Sequence, residues 1–439
     1  MTASTTRTAP APETRPPRPP RAGAPDASVH GGGPGIVRWG GRAGSFGPFR
    51  LHQLVLCEIA GALLLCAGVV DPLLLAPASV AAALLVMLAV VRRHRRSLPV
   101  LLYAVLALRA RNRRSASTGP AAGAEPGIAP AVECEPALRT HSFGGPDRQP
   151  VGMIGDGTYL TAVLRIDADG TALRPDRSAR PLPLALVRDA LDVDGIRLES
   201  AQIVQHTQPA PASHLPEQSV VARNYAPLQA RAGSPAVRIT WIALKLAPEL
   251  CPEAVRARGG GFTGAQKCLV RAADQLAGRL TGAGLRATVL TEQELGAAIA
   301  TSVCASPSAT ARAGRNGAPA RRTRETSRTW QCDDRLHTTY WVRRWPELGG
   351  GGAPMPQLVA LLTSVPALAT TFVLTLGHGD RQEITVTGHI RVTGRDDREL
   401  RSARHELELT ARGVKTSLVR LDHEQLPGVL ATLPLGGTR

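Results

Sequence analysis

Two apolar runs, Leu54 to Val70 and Leu73 to Val91, constrain this chain more than anything else in it. The first is 17 residues with one charge, Glu58, and the second is 19 residues with none. A bilayer core takes about 20 apolar residues of helix, with a working range of about 17–25. Asp71-Pro72 separates the runs, and the pair stops a helix and favours a turn. The sequence therefore predicts a two-span transmembrane hairpin (54–70 and 73–91) in a cell membrane. Arg38, Arg42 and Arg50 precede it, Arg92, Arg93, Arg95 and Arg96 follow it, and the turn carries no Lys or Arg. The positive-inside rule puts both termini in the cytoplasm. A signal peptide would begin near the N-terminus and carry one short apolar core, which is not this pattern.

Glu58 is costly in lipid. It reads either as an interfacial residue one turn into the span or as a contact inside a multi-subunit complex. Leu98 to Leu108 is a third apolar run, too short to cross. Arg109, Arg111, Arg113 and Arg114 follow it, the pattern of an interfacial helix on anionic lipid.

Charge supports this placement. Residues 1–114 hold 15 Lys+Arg against 4 Asp+Glu, so most of the +17 excess lies beside the hairpin. Basic residues with interleaved aromatics, which would stack bases, are missing, so nucleic acid is not an expected partner. The seven cysteines include no CxxC pair, which argues against a disulfide framework or a zinc site.

The expected organisation has four parts. Residues 1–36 form a disordered cytoplasmic tail, and 37–114 hold the hairpin and its basic interfacial segment. Residues 115–150 are an Ala/Pro/Gly linker, and 151–436 a mixed α/β cytoplasmic domain. Within that domain Thr158 to Ile166 and Ala236 to Leu246 read as strands. In the second, Val237, Ile239, Trp241 and Ala243 share a face. Thr263 to Leu280 reads as a helix with Cys268, Leu269, Ala272, Ala273, Leu276 and Leu280 on one stripe. Thr291 with Glu294 forms a capping-box pattern. Strands alternate with helices, so the fold class is α/β. Residues 305–325 read as a polar loop, and no internal repeat is evident.

Few motifs promise chemistry. Gly259-Gly260-Gly261-Phe262-Thr263-Gly264 opens a helix but lacks the Lys-Ser/Thr that a P-loop needs directly after its last Gly. Cys332-Asp333-Asp334 with His337 resembles a metal-ligand cluster. Read as one strand through Trp330, Tyr340 and Trp341, however, the cluster is split between two faces. That aromatic strand marks a core centre or a docking surface. The sequence contains no HExxH and no GxSxG.

Four stretches together resemble EccE, a membrane component of type VII (ESX) secretion systems. They are the hairpin with its arginines through Arg114, Val151-Gly152-Met153-Ile154 with Thr158 to Leu164, Thr329 to His337 with Thr339-Tyr340-Trp341, and Arg420 to Gln425 with Leu433-Pro434-Leu435-Gly436. The resemblance implies a non-catalytic structural subunit with no cofactor and no family catalytic residue. It also implies EccB-, EccC- and EccD-like partners, EccC being the export ATPase. Contact candidates are Glu58, the arginines at 92, 93, 95, 96, 109, 111, 113 and 114, and the aromatic-strand residues Trp330, Asp333, Asp334, Tyr340 and Trp341. The alternative is a membrane-tethered, nucleotide-sugar-dependent transferase-like enzyme, which rests on fold analogy alone.

Overall fold

The computed structural model describes residues 37–39, 51–70, 75–90, 92–93, 96–117, 119, 124–144, 149–167, 181–208, 220, 223–224, 237–316, 321–346, 354–379 and 383–437. The expected tail, 1–36, lies outside them, as does Arg95.

Helices occupy both apolar runs. α1 (Leu51–Val70) and α2 (Leu75–Val90) pack against each other as a hairpin. Among the described residues, no helix is long and apolar enough to cross a membrane. The side chains described are Val55 and 58–70 in α1 and 75–86 in α2. The third apolar run belongs to α3 (Leu98–Ser117), which extends through the arginines.

The rest is a large, mostly antiparallel sheet with helices on both faces. Its strands are β1 (Arg139–Phe143), β2 (Val151–Gly155), β3 (Leu160–Asp167), β4 (Ser200–Gln208), β5 (Val237–Leu246) and β6 (Arg286–Val289), then β7 (Thr323–Glu325), β8 (Trp330–Cys332), β9 (Arg335–Arg344), β10 (Ala369–His378), β11 (Ile384–Gly394) and β12 (Ser417–Arg420). The order across the sheet is β7-β8-β9-β11-β10-β4-β5-β3-β2-β1. β6 adds to β3, β12 to β9, and Val37–Trp39 to β11. Outside the hairpin, the α-helices whose bounds are described number ten, besides a 3-10 turn at Pro248–Leu250. They are α3, α4 (Ala129–Cys134), α5 (Leu184–Asp189), α6 (Pro252–Ala257), α7 (Gly261–Gly282), α8 (Glu292–Ser302), α9 (Pro307–Asn316), α10 (Met355–Thr363), α11 (Asp397–Gly413) and α12 (Gln425–Leu430).

The sequence reading found no repeat, yet the structure is a duplication. Residues 129–304 run α4-β1-β2-β3-α5-β4-β5-α6-α7-β6-α8. Residues 307–436 run α9-β7-β8-β9-α10-β10-β11-α11-β12-α12, the same order without the short α6 and the small hairpin of Asp192–Val193 with Ile196–Arg197 that follows α5. In each half the third strand has the fifth on one side and shares its other edge between the second and sixth. Local detail repeats too. Leu269, Ala272, Leu276 and Leu280 are buried along α7, and Leu400, Ala403, Leu407 and Ala411 along α11, with the same spacing. The hairpin turn is left-handed at Gly157 (φ 94) and at Asp333 (φ 51). The exit from the long helix is left-handed at Gly284 (φ 80) and at Lys415 (φ 55). The halves join through antiparallel β4 and β10, with Val204 opposite Val373 near the local twofold axis.

Sheet alternation divides the core in two. One face buries Leu160, Ala162, Leu164, Ile203, Ile242 and Leu244 of the first half and Phe372, Leu374, Ile390 and Val392 of the second, under α5, α6, α7, α10 and α11. The other buries Val163, Val204, Trp241, Ala243 and Val373 under α4, α8 and α12. Here the halves exchange caps. The Arg391 guanidinium on β11 donates to the Ser302 carbonyl at the end of α8. Gln202 Nε2 on β4 donates to Ala431 O just past α12 at 2.9 Å. Each half thus satisfies open carbonyls at a helix end of the other, where the helix dipole also favours the Arg391 charge.

Candidate functional site

The described arginines at the end of α3 meet the sheet at its β7 edge. Ala104, Leu108, Arg111 and Ser115 recur at helical spacing, and the first two are buried. That face carries Arg111 into the domain, whereas Arg109, Arg113 and Arg114 are exposed. Arg111 Nε and Nη2 each lie 2.9 Å from an oxygen of Glu325, and Nη2 also donates to His423 O at 2.7 Å. The Glu325 side chain is 2 % exposed and accepts a further bond from Leu426 N at 2.9 Å. One bidentate pair therefore ties α3, β7 and the start of α12 together.

Two more arginines complete the junction. Arg321 Nη2 donates to Glu133 O at 2.6 Å, and its Nη1 to Ser115 O at 3.3 Å. The Glu133 carboxylate in turn receives Arg322 N at 3.0 Å, Thr323 N at 2.9 Å and Thr323 Oγ1 at 2.8 Å. Arg322 pairs with Asp333 at 2.9 and 2.7 Å. Hydrogen bonding to Asp333 raises the Arg322 pKa and outweighs burial. Between α3 and β7 lies a cavity of about 600 Å³, lined by Arg111, Ser115, Arg321, Arg324, Glu325 and Trp330 among others.

This geometry corrects the reading of 329–345 as one strand. The segment is a hairpin, β8 and β9, with Asp333-Asp334 as its turn, and Cys332 faces Arg335. The turn resets the alternation, so Trp330 and His337 sit opposite each other with ring centroids 5.0 Å apart. Asp333 binds Arg322 and receives Ser306 N at 2.8 Å, while Asp334 is exposed beside Arg335. Trp330 and Tyr340 are buried, and Tyr340 Oη donates to Glu408 at 2.8 Å. Both side chains belong to the core, and Trp341 is half-buried. Glu58 is exposed on α1. Arg92 and Arg93 pair with Ser97 and Arg96 in a two-strand turn before α3.

A second polar group crosses the sheet beneath α8. His206, Thr371 and Arg391 are neighbours on adjacent strands, and His337 faces Thr393 one row away. All five are buried. His206 Nδ1 and Thr371 Oγ1 are 2.9 Å apart, as are His337 Nδ1 and Thr393 Oγ1. Burial, and then the Arg391 charge, push His206 down to about 3 and His337 well below the usual imidazole range. Burial likewise lowers Arg391 to about 10, which leaves it charged at neutral pH. Sequence reasoning missed Arg391, Glu133 and Glu325. The last fell in a stretch read as a polar loop, and 115–150, read as linker, holds α4 and β1.

Comparison with known families bears on the segment that crosses the two halves. Residues 234–342 match the EccE family, described as a type VII ESX secretion system translocon. The match runs from β5 through most of β9 and takes in β7, β8 and the Thr329–His337 stretch that carried the resemblance. No curated protein matches the chain. The matched region contains the Arg322–Asp333 pair and Glu325, whereas Arg111, which clamps Glu325, lies outside it.

Proposed function

We propose that the protein is a non-catalytic structural subunit of a type VII translocon, anchored in the cell membrane by α1 and α2, with a cytoplasmic α/β domain beside the export channel and its ATPase. One observation carries the anchoring. Val55, Ile59, Leu63, Leu64, Leu65, Val69 and Val70 of α1 are exposed, as are Leu75, Val80, Leu84 and Val86 of α2. Among the described residues, the buried ones of the pair are the small Ala60, Ala67 and Ala82. An apolar exterior around a small-residue contact suits helices in lipid and is costly in water. The flanking arginines favour the cytoplasmic side, and the EccE match supplies the system.

Affinity purification of the tagged, detergent-solubilised protein from its native host, followed by mass spectrometry, tests this. Co-purification of the translocon ATPase and companion membrane subunits is the expected result. Recovery as a lone protein, released from membranes by alkaline carbonate, would overturn both the anchor and the assignment.

A further inference from the structure

The groove between α3 and β7 contains more positive charge than it neutralises. Of its lining residues Arg111, Arg321, Arg324 and Glu325 are charged, and the Glu133 carboxylate at its Thr323 end, held only by neutral donors, offsets one more, which leaves an excess of one positive charge. Both oxygens of Glu325 are already taken by Arg111, and one also holds Leu426 N. Arg321 donates to the backbone carbonyls of Thr323, Ser115 and Glu133, and those bonds cancel no charge. Arg324 is exposed and makes no ion pair among the described residues.

The floor of the groove is a strand edge. β7 pairs with β8 and is the last strand at its end of the main sheet order. Ladder bonds in an antiparallel hairpin fall on alternate residues. Thr326 N donates to Thr329 O, and Asp333 N to Arg322 O. Thr323 and Glu325 therefore turn their N–H and C=O away from β8, toward the open edge. At Thr323 that edge already holds a carboxylate, because Glu133 accepts both its N–H and its hydroxyl. The strand thus recruits acid from within the chain and leaves one further backbone pair, at Glu325, facing the groove.

We infer that the groove binds a short extended acidic segment of a partner protein, which lies along β7 and sets a carboxylate against Arg324 and Arg321. A strand-edge backbone pair beside cationic side chains fits an extended peptide better than a lipid headgroup, which has no alternating donors and acceptors. The inference rests on the translocon reading, since that supplies the partner.

The test places a photo-crosslinking benzoylphenylalanine at Thr326, an exposed groove residue, in the full-length protein in native membranes. The expected adduct is a peptide rich in Asp and Glu from a co-purifying subunit. Arg324→Glu should lower its yield about tenfold, the size of one exposed ion pair turned into a repulsion. Arg328→Glu, exposed but outside the groove, should leave it unchanged. Crosslinks to lipid alone, to a neutral or basic segment, or at a yield insensitive to Arg324→Glu would overturn the inference. So would the absence of any adduct from a complex that still co-purifies. If the complex itself fails to co-purify, the translocon reading falls instead.

Discussion

At the scale of single residues, the buried imidazoles make an acid-sensitive structure. Their folded pKa values lie below the unfolded value of about 6.5. The unfolded chain therefore binds more protons as pH falls. The stability due to the neutral rings is complete above about pH 6.5 and is lost as pH drops toward the folded pKa. Thermal unfolding of the solubilised protein should have a lower midpoint at pH 5.0 than at pH 7.5, and His337→Asn should shrink the gap. Equal midpoints for the native protein would refute this origin. Gly152 shows a steric constraint instead. A Cβ there would lie 2.5 Å from the backbone N of Glu292, at the start of α8. Gly152→Ala should cost about 1–3 kcal/mol in denaturant unfolding, because a helix terminus cannot yield as a flexible side chain can.

At the scale of elements, the joint between α3 and β7 is the contact most open to test. Glu325→Gln removes the charge that holds Arg111 while conserving shape. Loss of one partner of a buried pair costs about 3–5 kcal/mol, but partial exposure of Arg111 brings the expectation nearer about 2 kcal/mol. Hydrogen exchange should rise in α3 and around 423–426 and stay unchanged in β4 and β10. Elements were legible where their signals were local. The α7 stripe and the capping box at Thr291 stand as read, with Glu294 N 3.3 Å from Thr291 Oγ1. The alternation in β5 does too. The β8–β9 turn was not legible, because Asp333 adopts a left-handed conformation usually marked by glycine, which its counterpart Gly157 supplies. The Arg111–Glu325 pair was out of reach, since its members lie far apart in the chain and only tertiary folding brings them together.

At the scale of the whole molecule, the duplication was hidden because what the halves share most plainly is element order and strand pairing, which only the folded sheet displays. Polar Gln202 and Arg391 perform matching caps from strands that do not correspond. The exchange of caps predicts that the two halves depend on each other. Fragments 1–304 and 305–439 expressed together should assemble one to one, and either alone should aggregate; a soluble, monomeric fragment would contradict this. The α3 joint also decides how the molecule would bear load. Traction on α3 reaches the sheet at its outermost strand, three residues long, and would strip β7 from β8 bond by bond. The β4–β10 seam, well inside the sheet, would be shielded. If α1 and α2 anchor the molecule as proposed, the joint between α3 and β7 would act as a mechanical fuse, yielding at small force and sparing the body behind it.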